Sequence, residues 1–136
     1  MMKKSGNKFG AKSIKDPATG YVFDSKAEFT RWCELKLLER AGKISNLRRQ
    51  VTYELIPTQR EESTEVYKAG PQKGLPKPGK VIEKPVKYVA DFVYVDEHGS
   101  TVVEDTKGLK KGAAYDLFTI KRKLMLQKYG VRIKET

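Results

Sequence analysis

Hydrophobic positions follow two different spacings along the chain, and each spacing predicts a type of element. Apolar residues three and four positions apart predict one helix over residues 26–41 and a second over 113–129. Ser25 and Glu28 match the capping-box pattern at the start of the first helix, and Gly42 stands where a helix-ending glycine belongs. The sequence therefore predicts two helices of similar length.

Alternation of apolar and polar residues predicts strands at residues 20–24, 44–56, 86–95, 100–107 and 131–135. The strand at 86–95 is an almost continuous apolar run, which predicts burial on both faces. The turn at 96–99 joins it to the next strand as a hairpin. The order of elements predicts an α/β fold with a mixed β-sheet flanked by α-helices.

Two segments lack either spacing. Residues 1–15 carry five lysines and no acidic residue, which predicts a flexible basic arm. Residues 57–85 are rich in proline, glycine and lysine, which predicts a long mobile loop. A chain of 136 residues suits a single domain, residues 1–136, that includes both segments.

Composition limits the chemistry and indicates the partner. The chain has 28 Lys+Arg against 17 Asp+Glu, a net charge of +11, which favours a polyanion such as nucleic acid or an anionic membrane surface. A single histidine, His98, and a single cysteine, Cys33, exclude an intrachain zinc finger or a Cys–His protease. We expect Cys33 in the core. No apolar run is long enough to span a bilayer and no secretory signal is visible, so we expect a soluble, cytoplasmic protein.

An aspartate inside the most apolar strand is the main chemical signal. Asp91 lies among valines and aromatic residues, where an ionised carboxylate is costly unless it is paired or bound to a metal. Alternation places Asp105 and Lys107 on one face at the end of the next strand, so all three side chains are expected at one end of the hairpin. A simple buried salt bridge between Asp91 and Lys107 is the structural alternative.

Two carboxylates beside a lysine suit metal-assisted hydrolysis of a phosphodiester bond. Mg²⁺ prefers oxygen ligands and keeps several waters, and a lysine can orient or deprotonate the attacking water. The acidic-x-Lys spacing alone is weak evidence, since it occurs three times, at residues 24–26, 34–36 and 105–107. Only the last lies on an apolar strand beside another strand that carries its own aspartate.

Two helical residues have alternative interpretations. Glu28 either completes the capping box or, because it lies on the apolar side of its helix, reaches the same metal cluster. Lys121 lies within a predicted apolar stripe on the second helix. It either extends past the core edge or points its ammonium group at the site or at a DNA phosphate.

Three segments, FDSKAEFTRWCELKLLERAGKISNLRRQ, KYVADFVYVDEHG and TVVEDTKG, followed by a lysine-rich helix, resemble the PD-(D/E)XK nuclease superfamily. More narrowly, they look like small phage and prophage proteins related to Holliday junction resolvases. The resemblance implies a restriction-endonuclease-like core with an α-β-β-β-α-β order. It makes Asp91 the first motif aspartate, with Ala90 in place of the proline, and it makes Asp105 and Lys107 the (D/E)xK pair. Glu28 would be the acidic residue of the first core helix and Gln50 an accessory polar residue.

The implied activity is a Mg²⁺-dependent, structure-selective DNA endonuclease acting on branched recombination intermediates such as four-way junctions, with Mn²⁺ as a possible substitute. Two cuts resolve a junction, so a homodimer is expected in a bacterial host cytoplasm. A non-catalytic DNA-binding module with a degenerate site, and a phage replication, packaging or nicking nuclease, are the alternatives. Phosphate contacts rather than base readout are expected from the basic arm, the 57–85 segment, and Lys110, Lys111, Lys121, Arg122, Lys123 and Lys128.

Overall fold

A computed structural model describes residues 13–108 and 110–136. The elements in chain order are β1 (Ile14–Lys15), β2 (Val22–Phe23), α1 (Lys26–Arg40), β3 (Ser45–Ile56), β4 (Gln59–Arg60), β5 (Val81–Glu83), β6 (Val86–Val95), β7 (Thr101–Asp105), α2 (Ala113–Tyr129) and β8 (Ile133–Glu135). The described chain divides into two compact units. One comprises residues 13–51 and 89–136, and the other comprises residues 52–88.

The central sheet has four strands in the order β3-β6-β7-β8. Strands β6 and β7 form the antiparallel hairpin that the sequence predicted, with Phe92 opposite Glu104 and Val93 opposite Val103. Strand β8 runs parallel to β7, with Ile133 opposite Val103. The sheet is therefore mixed, and with its two helices it confirms the α/β prediction.

The N-terminus of helix α1 and the set of its buried residues largely match the prediction. The Ser25 hydroxyl accepts a hydrogen bond from the Glu28 backbone N–H at 3.1 Å, which satisfies one free donor of the first turn. Glu28, Trp32 and Leu35 are the buried residues of the helix. Cys33 is exposed, so its predicted core position is wrong. It follows Trp32 directly, and one residue turns the helix by about 100° away from the buried stripe.

The hydrophobic core on one side of the sheet forms around α1. Trp32 stacks on Phe92 with ring centroids 6.1 Å apart. The buried members of this cluster are Phe23, Trp32, Leu35, Ile44, Phe92 and Tyr94. Because alternate residues of a strand share a face, α1 covers the face of β6 that carries Phe92 and Tyr94.

Helix α2 covers the opposite face. Its Tyr115 hydroxyl donates to Glu135 Oε1 at 2.8 Å, and Glu135 shares a face with Val103 and Ile133. Phe118 and Met125 are buried as predicted, but Leu117 is 53% exposed because it lies about 100° from Phe118 on the helix. In the described ranges, neither helix is long and apolar enough to cross a membrane.

Burial along β6 is less complete than its composition predicts. The run from Phe92 to Tyr94 is buried on both faces, which confirms the prediction for the second half of the strand. Val89 is 44% exposed, so the prediction is wrong for the first half, where buried and exposed residues alternate.

The segment predicted as a loop over residues 57–85 contains regular structure. Strand β4 pairs antiparallel with β5, and Val66 forms an isolated bridge with Pro76. The Glu61 N–H donates to the Lys80 carbonyl at 2.8 Å within the same segment. Every residue of both strands is exposed. The strands therefore pair through their backbones without the alternation of buried and exposed residues that would have predicted them from the sequence.

The predicted basic arm over residues 1–15 falls largely outside the described residues. Only its last part is described, and there Ile14 and Lys15 form β1, which pairs antiparallel with β2. The predicted arm therefore extends too far along the chain, because Ile14 already pairs with Phe23 in a strand pair.

Candidate active site

Two aspartates meet at the end of the β6–β7 hairpin. The register that sets Phe92 opposite Glu104 brings Asp91 beside Asp105, and their side chains are hydrogen-bonded to each other. The Thr106 backbone N–H donates to Asp91 Oδ2 at 2.8 Å and fixes that carboxyl group. Asp105 is only 4% exposed. The predicted meeting of Asp91 and Asp105 is thus present in the structure.

The carboxylate pair holds a proton at neutral pH. Burial, followed by the hydrogen bond and the charge of Asp105, raises the pKa of Asp91 to about 8. The Thr106 N–H opposes this rise in the pKa of Asp91 but does not cancel it. Near neutral pH, below this pKa, Asp91 is therefore mostly protonated.

Lys107 lies beside this pair. Its Nζ is 3.3 Å from Asp105 Oδ1 and 4.0 Å from the centroid of the Phe118 ring on α2. The ion pair that Lys107 forms is thus with Asp105, whereas the structural alternative expected a bridge to Asp91. With about a quarter of its side chain exposed, the ammonium group lies between the acidic pair and solvent.

Glu28 contributes a third acidic group at this end of the sheet. It is 5% exposed, and burial raises its pKa, as do the charges of Asp24 and Asp105. Its backbone N–H serves the helix cap at Ser25, while its carboxylate interacts electrostatically with Asp91 and Asp105. Its role as a metal ligand stays a prediction.

Gln50 approaches Glu28 from strand β3. Its Nε2 donates to Glu28 Oε2 at 3.5 Å, so the predicted accessory residue lies next to the acidic group. Gln50 has a φ of 55°, a left-handed conformation that costs a non-glycine residue about 1 kcal/mol or more. Strained backbone of this kind is concentrated at functional sites.

Arg49 also belongs to this site, although it was not predicted from the sequence. Its Nη2 donates to the Val22 carbonyl at 2.9 Å and lies 3.9 Å from Glu28 Oε2. Its guanidinium group packs on the rings of Phe23 and Tyr21, at 4.4 and 4.9 Å from the ring centroids. The only available signal was strand alternation, which places Arg49 on the same side as its apolar neighbours two residues away.

A second buried acidic residue has a different environment. Glu104 is fully buried on the α1 face, where it accepts hydrogen bonds from Arg31 Nε at 2.8 Å and Arg31 Nη2 at 2.7 Å, and another from the Tyr94 hydroxyl. Burial alone would raise the pKa of Glu104, but these hydrogen bonds lower it overall. Burial, followed by the hydrogen bond to Glu104, raises the pKa of Tyr94 to about 12. This network ties α1 to β7.

The predicted DNA-binding residues lie on α2 and in the segment before it. Lys110 and Lys111 are exposed, as are Lys123 and Lys128. Lys121 is half-buried beside the Phe118 and Met125 stripe. Arg122 donates to Glu135 Oε2 at 3.2 Å and to the Tyr115 hydroxyl at 3.4 Å, so it is already held by protein groups. These positions neither support nor oppose DNA binding by themselves.

Comparison with known proteins shows the family. The family model described as "Protein of unknown function (DUF1064)" matches residues 6–135. The chain belongs to this family. No curated protein matches the chain significantly, and neither does any solved structure. The match of the DUF1064 family includes Glu28, Asp91, Asp105 and Lys107, so the acidic site lies within the region that defines the family.

Two carboxylates of the acidic site of this DUF1064 protein, those of Asp91 and Asp105, are of the chemical type that could hold a magnesium ion. Over residues 13–108 and 110–136, no three His, Cys, Asp or Glu side chains are grouped closely enough to hold a metal ion, and the three-ligand set that includes Glu28 stays a prediction. Asp91, however, is half-buried beside the buried Asp105, whose charge disfavours the ionised form of Asp91. Mg²⁺ commonly takes one or two protein carboxylates and keeps waters or substrate phosphates as its other ligands.

Proposed function

We propose that this protein is a Mg²⁺-dependent endonuclease that hydrolyses phosphodiester bonds in DNA. The observation that carries the proposal is the pair of half-buried Asp91 and buried Asp105, with the Lys107 ammonium group 3.3 Å from Asp105. An ionised Asp91 is costly in this position, and an adjacent apolar pair would avoid that cost. A cation that binds between them would remove that cost.

Each residue has a role in this proposal. Asp91 and Asp105 would hold the metal ion, and Glu28 adds negative charge nearby that favours the bound cation. With Mg²⁺ bound, charge developing on a phosphate is offset and a coordinated water becomes more acidic. Lys107 is held against Asp105 and Phe118, where its ammonium group can donate hydrogen bonds to a phosphate oxygen or orient the attacking water.

The substrate follows from charge and from resemblance. A net charge of +11 favours a polyanion, and the motifs resemble those of Holliday junction resolvases. We therefore propose branched DNA, such as a four-way junction, as the preferred substrate, a homodimer as the active form, and Mn²⁺ as a substitute for Mg²⁺. Resolution of a junction needs two coordinated cuts, which a dimer provides.

Cleavage of matched four-way, flap, duplex and single-stranded substrates at one salt concentration tests this proposal. We expect Mg²⁺-dependent cleavage that is fastest on the four-way junction and lost in Asp105→Asn. Asp96→Asn is the matched control, because Asp96 lies in the exposed turn of the same hairpin. Equal cleavage by wild type and Asp105→Asn would refute the site, and equal rates on all substrates would refute the selectivity.

One observation favours a second candidate, a DNA-binding module without catalysis. In the described part of the chain, Glu28 does not join the two aspartates in a group tight enough for a metal. A non-catalytic module predicts DNA binding with no cleavage and no change in melting temperature on addition of Mg²⁺. A metal-dependent rise in melting temperature that disappears in Asp105→Asn would exclude it.

A further inference from the structure

A cavity between the second half of α2 and the start of β8 is lined by basic residues. Its volume is about 360 Å³, and its lining residues are Arg122, Lys123, Leu126, Val131, Arg132 and Ile133. We propose that this cavity binds a backbone phosphate of the DNA, at a distance from the phosphodiester bond that is cut. The inference rests on the proposed function only in taking DNA as the partner.

The charge of the lining fits an anion. Of the described residues, those that line the cavity include three cations and no carboxylate. Arg122 is fixed in place by Glu135 and Tyr115, which leaves its charge largely balanced. Lys123 and Arg132 supply the excess positive charge. Apolar walls beside them lower the local dielectric constant and strengthen their attraction for an anion.

Two other cavities in the same unit lack this character. One, of about 490 Å³, is lined by Lys26, Arg31 and Lys107 but also by Glu34. The other, of about 550 Å³, includes the acidic side chains of residues 96 and 97. Arg31 lines both cavities, and its guanidinium group is hydrogen-bonded to the buried Glu104. The α2–β8 cavity is the one of the three whose charged lining residues are all basic.

The lining also favours a phosphate over a nucleobase. Proteins that bind bases without sequence preference stack them on aromatic rings, and the lining residues of this cavity include none. Guanidinium and ammonium groups are the usual partners of phosphate oxygens. A sugar-phosphate unit of the backbone therefore matches both the charges and the apolar wall.

Strand register gives the position of this phosphate relative to the acidic pair. Glu135 lies opposite Asp105, and Arg132 precedes Glu135 by three residues. Three residues of extended chain span about 10 Å. This span exceeds the distance between neighbouring phosphates of one strand, so the cavity would hold a different phosphate from the one beside the acidic pair.

Salt-dependent DNA binding without metal tests the cavity independently of cleavage. We expect Arg132→Gln and Lys123→Gln each to weaken binding and to reduce the slope of log affinity against log salt by up to about 0.9, the value for one lost phosphate contact. Lys36→Gln is the control for net charge, because Lys36 lies on α1 and pairs with Glu39. Equal slopes for Arg132→Gln, Lys123→Gln and Lys36→Gln would overturn the inference.

Neutral methylphosphonate linkages identify the phosphate. In a four-way junction, whose branch point fixes the register of the bound protein, scanned with one such linkage at a time, we expect one position in an arm whose neutralisation weakens binding by wild type but not by Arg132→Gln. A similar loss of DNA affinity at every position would refute a specific phosphate contact. Inorganic phosphate that competes equally well in wild type and Arg132→Gln would also refute it. DNA that binds with this pattern but is never cut would refute the nuclease proposal and leave the cavity assignment intact.

Discussion

Replacing Asp91 with asparagine removes the carboxyl group whose pKa folding raises most clearly. Burial, followed by Asp105, raises the pKa of Asp91 from 3.8 to about 8. Between these two values the folded chain holds a proton that the unfolded chain has released. Stability must therefore fall as pH rises through this range, by about 1.36 kcal/mol per pH unit and roughly 6 kcal/mol in total.

Asparagine avoids this cost because it is neutral at every pH. Its side-chain oxygen can accept the Thr106 N–H, as Asp91 Oδ2 does at 2.8 Å, and its amide can donate to Asp105. We therefore expect Asp91→Asn to match wild type near pH 4.5 and to exceed its stability by roughly 5 kcal/mol near pH 8.5. The mutation of a proposed metal ligand would thus stabilise the metal-free protein.

Urea unfolding in the presence of a chelator, at several pH values from about 4.5 to 8.5, measures this difference. Asp96→Asn is the control with the opposite sign, since the hydrogen bond from the Ser100 N–H lowers the pKa of Asp96 and its removal should reduce stability near neutral pH. The reasoning is refuted if the stability of wild type does not fall with rising pH relative to Asp91→Asn.

Three further predictions concern the same region. Because Mg²⁺ must displace the proton on Asp91, its addition should raise the melting temperature of wild type more near pH 8 than near pH 6, and should have no such effect on Asp105→Asn, as scanning calorimetry would show. Arg31→Met should destabilise the chain by up to about 3–5 kcal/mol in urea unfolding, since it removes two hydrogen bonds and the nearer cation from the buried Glu104 and leaves Lys134 at 3.9 Å. An unchanged midpoint would contradict this. Arg49→Met should raise the pKa of the neighbouring Glu28 further, measured by carboxyl NMR titration, whereas the exposed Arg48→Met should leave it unchanged.

Short-range patterns were sufficient to predict most of the central fold. The two-residue period of β6 and β7 determines which side chains share a face, and this places Asp91 beside Asp105 once the hairpin forms. Helix α1 was predictable because Ser25 caps it and its buried residues keep a helical spacing. In both cases the decisive physics acts between residues that are close in sequence or paired through one tight turn.

The missed features depend on contacts between distant residues. Arg31 binds Glu104 across 73 positions, and Arg49 packs on Tyr21 and Phe23 from another strand. Neither partner is visible in a local pattern, since each side chain alone resembles an ordinary surface charge. The β4–β5 pairing was missed for a different reason: both strands are exposed, so backbone hydrogen bonds maintain them without a hydrophobic signal.

Two neighbouring acidic residues of β7 differ in how the protein compensates their surroundings. Glu104 faces α1, where Arg31 and Tyr94 donate to its carboxylate and lower its pKa despite complete burial. Asp105 faces the other way, toward Asp91, and burial, followed by the hydrogen bond and charge of Asp105, raises the pKa of Asp91. The protein stabilises the charged form of Glu104 with its own donors, whereas the Thr106 N–H does not offset the cost of an ionised Asp91 beside Asp105. The pair can be relieved by a proton or by a cation, and this choice makes it, rather than Glu104, the candidate metal site. If Glu104→Gln abolished Mg²⁺ binding in a folded protein while Asp105→Asn preserved it, this distinction would be wrong.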